Sequence, residues 1–389
     1  MSIQSKLISF IIFFIGFTPP FIHNYLLYSG DVIDFRLVDV LLCLIIIFLT
    51  SIKTNKLKFK YIYIFYFGLA LLQLVYFSEN YTVTRFVEVV YSSALPLMIL
   101  MYGGVLLNSR DIDILFKIMS IVVWANVFFA IFLSNSYAGI DGQYLIFSNI
   151  GGSIPTAWML LFWLIAYDYV SNNNKGAARS LILPAVVLCI IFLDSRSVLI
   201  SLLIYVVMCR RKNYLVALGL ITFSVALILF FGSLLGRISN FEFSDNSSQL
   251  RLNAVIVTLD IIQDSYIMGS EVGRHFPRVD KNISEDLVTE SGNAARLIGN
   301  NILPTEPHNS YLLYGVEYGI IGIIMVAYIN VKSSFVHGKL DMNILIPLFV
   351  MFITSSILKF DIKLFFLVVI FLSLCQVVKR NQNDIGITK

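Results

Sequence analysis

The chain has 389 residues, of which 58% are hydrophobic and 13% are charged, and its formal net charge is +4. A charged share about half that of a soluble domain excludes an ordinary water-soluble fold and predicts an integral membrane protein. The four cysteines all lie in apolar stretches, so neither a disulfide framework nor a cysteine-based metal site is expected.

Twelve apolar stretches approach the length of about 20 residues that a helix needs to cross a hydrocarbon core of about 30 Å. They predict an all-α, polytopic membrane protein whose residues 1–389 form a single transmembrane domain. No cleavage site follows the first stretch, so we expect it to be a retained span. The predicted spans are 7–23, 33–51, 60–77, 87–107, 112–133, 153–169, 180–194, 196–209, 214–232, 310–330, 343–358 and 363–378.

Lysine and arginine are distributed unevenly between the two ends of these spans. If the N-terminus is cytoplasmic, 17 of the 28 basic residues fall in cytoplasmic segments, five lie near short outer loops and six lie in one long outer loop. Short cytoplasmic loops carry an excess of Lys and Arg, whereas charges in long loops say little about orientation. Both termini are therefore expected in the cytoplasm.

The long outer loop, 233–307, is inserted between the ninth and tenth predicted spans. Loops of this length are usually functional or disordered. Apolar residues at helical spacing predict an amphipathic helix within it, lying on or dipping into the membrane surface and ending before Gly269 and Gly273. These apolar residues are Leu252, Val255, Ile256, Leu259 and Ile262.

A charged apex, Asp194-Ser195-Arg196, separates two apolar runs that are each shorter than a full span. The 14 residues from Arg196 to the inner anchor Arg210 cover about 21 Å of helix, less than the hydrocarbon thickness. The apex is therefore predicted to lie recessed below the outer surface, where an arginine indicates function. The alternatives are a structural pair with Asp194 and a side chain that extends to the interface.

Two further candidates lie in the long loop and directly after it. Arg251 opens the amphipathic helix, where the alternative is an exposed arginine without function, and other loop arginines compete for the same role. His308 follows Pro307, so the tenth span is expected to begin with Asn309 or Ser310 as N-cap. His308 would then lie at a helix N-terminus, whose free N–H groups favour an anion, or would have a structural role.

These motifs resemble the O-antigen polymerase and O-antigen ligase superfamily of bacterial envelope proteins. The resemblance covers residues 190–325 most strongly, and elsewhere it is one of topology. The residues that carry it are Ser195-Arg196-Ser197 at a hairpin tip, Arg251 opening a loop helix, Gly269 to Gly273 closing that helix, and His308-Asn309-Ser310-Tyr311-Leu312 followed by Glu317-Tyr318-Gly319 and Gly322.

The resemblance implies a C-type glycosyltransferase-like fold in the bacterial inner membrane, with its active site facing the periplasm. The implied substrates are an undecaprenyl-pyrophosphate-linked glycan donor and acceptor, and a chain-length regulator protein is an implied partner. A pyrophosphate leaving group needs charge stabilisation, which the planar forks of Arg196 and Arg251 suit. No cofactor and no metal are expected, because arginines would neutralise the leaving group.

His308 is the third candidate catalytic residue beside Arg196 and Arg251. It would bind the pyrophosphate, orient the acceptor hydroxyl or accept its proton, and Glu306 is an alternative base. Together with the two arginines, Glu306, Asn309 and Tyr311 are expected to bind substrate.

Two alternatives to a polymerase stay open. The abundance of Phe, Ile, Asn and Lys favours a polymerase over a ligase, which would transfer finished glycan to the lipid A core. From another class, a transporter or repeat-unit flippase would commonly show two similar halves, and this sequence shows none.

Overall fold

The computed structural model describes about half of the chain. The residues described are 2–17, 26–29, 34–37, 40–42, 44–45, 96, 99, 111–133, 137–138, 144–145, 153–170, 178–193, 195–209, 255, 258–259, 262–263, 267, 269, 296–298, 301–303, 309–336, 339–355, 358 and 362–384. Most of these are helical, which confirms the helical class. The number of twelve spans and their topology stay predictions.

Eight helices have both ends within the described residues, and each overlaps a predicted span. They are α1 (Ile3–Phe17), α2 (Ile112–Phe128), α3 (Ser153–Val170), α4 (Ala178–Phe192), α5 (Arg196–Cys209), α6 (Ser310–Ser333), α7 (Met342–Thr354) and α8 (Ile362–Asp384). The predicted spans 60–77, 87–107 and 214–232 lie largely or wholly outside the described residues. About half of 33–51 is described, and its predicted start is wrong, because Asp34–Arg36 form a strand.

Among the described residues, two stretches are long and apolar enough to cross a membrane, judged by length and composition. One is Ile112–Ile131, in which α2 continues into a π-helix, Phe129–Leu133, and the other is α6. The apolar parts of the other described helices are shorter, at 10–17 residues. The recessed position of the apex at Arg196 stays a prediction.

Short antiparallel strand pairs lie between the helices. They are β1 (Leu26–Ser29) with β2 (Asp34–Arg36), β3 (Tyr137–Ala138) with β4 (Tyr144–Leu145), β5 (Arg296–Ile298) with β6 (Asn301–Leu303), and β7 (Phe335–Val336) with β8 (Lys339–Leu340). The sequence did not predict them, because strands of two to four residues are too short to show an alternating pattern.

The amino ends of α1 and α2 are joined by a carboxylate. Asp111 accepts hydrogen bonds from the Ser2 backbone N–H at 3.0 Å, the Ser5 hydroxyl at 2.7 Å and the Ser2 hydroxyl at 3.0 Å. In that order of importance, these bonds lower the pKa of Asp111 to about 2. Further along, Asn126 donates to the Gly16 carbonyl at 2.9 Å, so α1 and α2 run parallel.

Two helices form the centre of the bundle. Every residue of α3 from Pro155 to Ala166 is buried, and so is every residue of α8 from Lys363 to Cys375. The two helices pack along each other. A helix buried all round needs no polar face, which explains why neither shows a clear amphipathic pattern.

A polar layer fixes which helix ends lie together. The Tyr205 hydroxyl of α5 donates to Asp168 near the carboxyl end of α3 at 2.9 Å. Tyr169 of α3 donates to Asp341, which caps α7 by accepting from the Asn343 N–H at 3.0 Å. The carboxyl ends of α3 and α5 therefore lie beside the amino end of α7.

Candidate functional site

Helix α6 is broken at Gly319. This glycine has φ 64° and ψ −152°, a conformation that residues with a side chain avoid. Three residues later, a Cβ added to Gly322 would lie 1.9 Å from the carbonyl oxygen of Tyr314. The break therefore divides α6 into two arms, 310–318 and 320–333, that approach each other closely.

The two arms of α6 fold back toward each other. The Asn330 side-chain amide donates to the Tyr311 hydroxyl at 3.1 Å. In a straight helix these residues, 19 positions apart, would be separated by about 28 Å, far beyond the reach of the two side chains. The predicted span 310–330 is thus helical and long enough, but it is not a rod.

The long outer loop packs on this break. Gly269, with φ +76°, lies so close that an added Cβ would be 2.5 Å from the Gly319 nitrogen and 2.6 Å from the Glu317 carbonyl oxygen. A Cβ added to Gly315 would likewise lie 2.9 Å from the Cδ1 atom of Ile262. The side chain of Glu317 is fully buried. Gly269 is therefore needed for close backbone packing against Gly319.

The predicted loop helix is described at only a few positions, all of them helical: Val255, Thr258, Leu259, Ile262 and Gln263. Thr258 is fully buried, whereas Leu259 is 44% exposed. Part of the helix therefore packs against protein through residues outside the predicted apolar stripe.

The first arm of α6 begins as the sequence predicts. Asn309 is the N-cap, and its side chain accepts from the Leu312 N–H at 3.1 Å. The adjacent Ser310 hydroxyl donates to the carbonyl of Ser355, the residue that follows α7, at 2.7 Å. The amino end of α6 is thereby fixed to the carboxyl end of α7.

The hairpin between α4 and α5 has a very tight tip. The Leu193 N–H donates to the Cys189 carbonyl at 2.9 Å, and the Leu199 N–H donates to the Ser195 carbonyl at 3.0 Å, so α5 begins directly after Ser195. Ser195 is 4% exposed. Arg196 is the first residue of α5.

These contacts bring two of the predicted motifs to the same end of the bundle. Helices α5 and α7 have 14 and 13 residues and pack along each other. Because the carboxyl end of α5 lies beside the amino end of α7, the two helices run antiparallel. The beginning of α5 therefore lies at the end where Ser355 holds the beginning of α6.

Comparison with known families gives a match over part of the chain. Residues 180–327, fewer than half of the chain, match the family model described as O-antigen ligase (Wzy_C). The resemblance to the O-antigen polymerase and ligase superfamily is confirmed. Members of this family are glycosyltransferase-like enzymes of bacterial membranes in O-antigen biosynthesis. Comparison with curated proteins gives no match.

The segment that matches the O-antigen ligase family runs from α4 to the second arm of α6 and contains every candidate site residue. The backbone of Arg196 is described, but its side chain lies outside the described residues. Arg251, Glu306 and His308 also lie outside them. The roles of all four stay predictions.

Asn309 and Tyr311, the two described candidates, already have structural contacts. The Oδ1 atom of Asn309 caps α6, which leaves its amide nitrogen as the group for a substrate. Tyr311 is half-buried, with its ring against Phe349 and Phe352 of α7 and its hydroxyl bonded to Asn330. Substrate binding by either residue stays a prediction.

Proposed function

We propose that this protein is a membrane glycosyltransferase that polymerises O-antigen repeat units carried on undecaprenyl pyrophosphate, at the periplasmic face of the inner membrane. One observation supports this above the others. The family match over 180–327 includes both helix beginnings, at Arg196 and Ser310, that lie at the same end of the bundle.

The arrangement suits a pyrophosphate leaving group. The amino end of a helix presents unpaired N–H groups and the positive end of the helix dipole. Two such ends at the same end of the bundle favour binding of an anion there. In the proposed mechanism the acceptor hydroxyl oxygen bonds to the anomeric carbon of the donor as the bond from that carbon to pyrophosphate breaks. Arg196 and Arg251 bind the phosphate oxygens of the undecaprenyl pyrophosphate that leaves. His308, just before α6, orients the acceptor hydroxyl or accepts its proton, with Glu306 as the alternative base.

A ligase is the second candidate, and the description of the matching family model favours it. A ligase would use the same lipid-linked donor and the same arginines. Only the acceptor would differ, since finished glycan would be moved to the lipid A core rather than to another repeat unit.

The surface glycan of a strain lacking the gene tests both candidates. Loss of a polymerase leaves a single repeat unit on the core, whereas loss of a ligase leaves a bare core and accumulated lipid-linked polymer. Lipid-linked repeat units trapped in the inner leaflet would instead indicate a flippase and overturn the proposal. Reintroducing the wild-type gene is the control, and activity of the purified enzyme in EDTA tests the expected metal independence.

A further inference from the structure

We infer that the Ser195 hydroxyl is a ligand-binding group that donates a hydrogen bond to a phosphate oxygen of the lipid-linked donor, at the amino end of α5. This inference rests on the proposed function. It assigns to Ser195 a role of its own beside Arg196.

The Ser195 hydroxyl is buried without a hydrogen-bond partner. Ser195 is 4% exposed, and within the part of the chain that the structure describes its hydroxyl oxygen is bonded to nothing. Its neighbours Leu193 and Val198 are fully buried apolar residues. A hydroxyl removed from water without a partner is unfavourable, so such a group in a native protein usually serves a ligand or an ordered water.

Capping residues before other described helices, and several described serines inside helices, behave differently. A serine before a helix normally accepts from an N–H of the first turn, as the side chains of Asn309 and Asp341 do before α6 and α7. Serines inside helices often bond back to a carbonyl four residues earlier, as Ser201 and Ser373 do at 2.9 and 2.7 Å. Ser195 makes neither bond, so its hydroxyl is left for another molecule.

The chemistry of the position points to an anion with several oxygens. The first N–H groups of α5 have no partner within the helix, and the positive end of the helix dipole lies there. Arg196 follows directly and carries a permanent charge. A phosphate group would use the hydroxyl, the N–H groups and the arginine together. A neutral sugar would use only hydrogen bonds.

Binding to purified full-length protein in detergent tests the inference without turnover. The probes are farnesyl pyrophosphate and inorganic pyrophosphate, and the variants are Ser195→Ala, Ser195→Thr and the control Ser333→Ala. Ser333 is equally buried, with an unbonded hydroxyl in the described structure, but it lies at the end of α6. Binding of both probes by the wild type would identify a general phosphate site, and binding of farnesyl pyrophosphate alone a site for the lipid-linked form.

We expect Ser195→Ala to weaken pyrophosphate binding about 10- to 100-fold, because a hydrogen bond to a charged group is lost. Its melting temperature without ligand should not fall, and Ser195→Thr and Ser333→Ala should bind like the wild type. Wild-type affinity in Ser195→Ala, loss of its fold, or no binding by the wild type would each overturn the inference. A deletion strain with unchanged surface glycan would instead overturn the proposed function, whatever the binding result.

Discussion

Arg196 is the first residue of α5, directly after the hairpin tip and close in sequence to the buried residues Leu193 and Val198. Its two interpretations, a phosphate clamp and a structural partner of Asp194, make opposite predictions for substitution. A lysine keeps the charge but lacks the planar fork that holds two phosphate oxygens at once.

For a clamp, we expect Arg196→Lys to be strongly defective and Arg196→Ala to lose about 10²–10³ in rate while accumulating normally in the membrane. The measurements are surface polymer length and membrane protein level for both variants. Near-normal polymer from Arg196→Lys, with reduced protein for Arg196→Ala, would restore the structural interpretation.

Asn309 shows how far a single residue was predictable. Proline restricts the residue before it, and asparagine and serine are preferred at N-caps, so the start of α6 followed from Pro307-His308-Asn309-Ser310 alone. The Ser195 hydroxyl was not predictable as a separate candidate. A serine before a helix ordinarily caps that helix, and only the structure shows that this one does not.

At the scale of elements, α6 differs most from its sequence pattern. The run from Tyr311 to Val331 is apolar enough for a span, and glycines are common in membrane helices that stay straight. Hydropathy therefore gave the extent of the helix but not its break at Gly319. The break depends on contacts with Gly269 and Tyr314, which are distant in the chain or on the other arm.

The close approach at Gly322 makes a testable prediction. In Gly322→Ala the new methyl group would meet the backbone carbonyl of Tyr314, which cannot move without opening the break. We expect a destabilisation of about 1–3 kcal/mol, typical of overpacking, seen as reduced folded protein and a lower melting temperature.

Gly315→Ala is the matched control for that substitution. Its methyl group would meet the flexible ends of Ile262 and Ile323, at 2.9 and 3.1 Å, and these side chains can give way. It should therefore be tolerated better. Equal tolerance of both substitutions would show that the arms are not held together as the structure has them.

For the whole molecule, the basic residues predict a side for every loop. Single cysteines at Ser247 or Asn282, in the predicted outer loop, should react with a membrane-impermeant thiol reagent added from outside. A cysteine at Asn173 should not. The background lacks the native cysteines Cys43, Cys189, Cys209 and Cys375. Labelling of the cysteine at position 173, without labelling at 247 or 282, would contradict the predicted orientation.

The sequence predicted the positions of the helices better than their arrangement. Hydropathy and caps give the extent of each helix, and the eight fully described helices overlap their predicted spans. Which helix occupies the centre is decided by contacts between distant segments, such as α3 with α8. A run that is apolar on all sides does not indicate which neighbour covers it.

The short helices have a consequence for the surrounding lipid. Helices of 13–15 residues such as α4, α5 and α7 are about 20–22 Å long. Leu181 and Phe192 of α4 and Ile200 and Val207 of α5 expose apolar side chains toward both ends of these helices. Acyl chains that contact them must shorten or tilt, at a fraction of a kcal/mol for each ångström of mismatch. We therefore expect the bilayer to be locally compressed around this hairpin, and elastic strain in the lipid to favour a place in thin, fluid membrane.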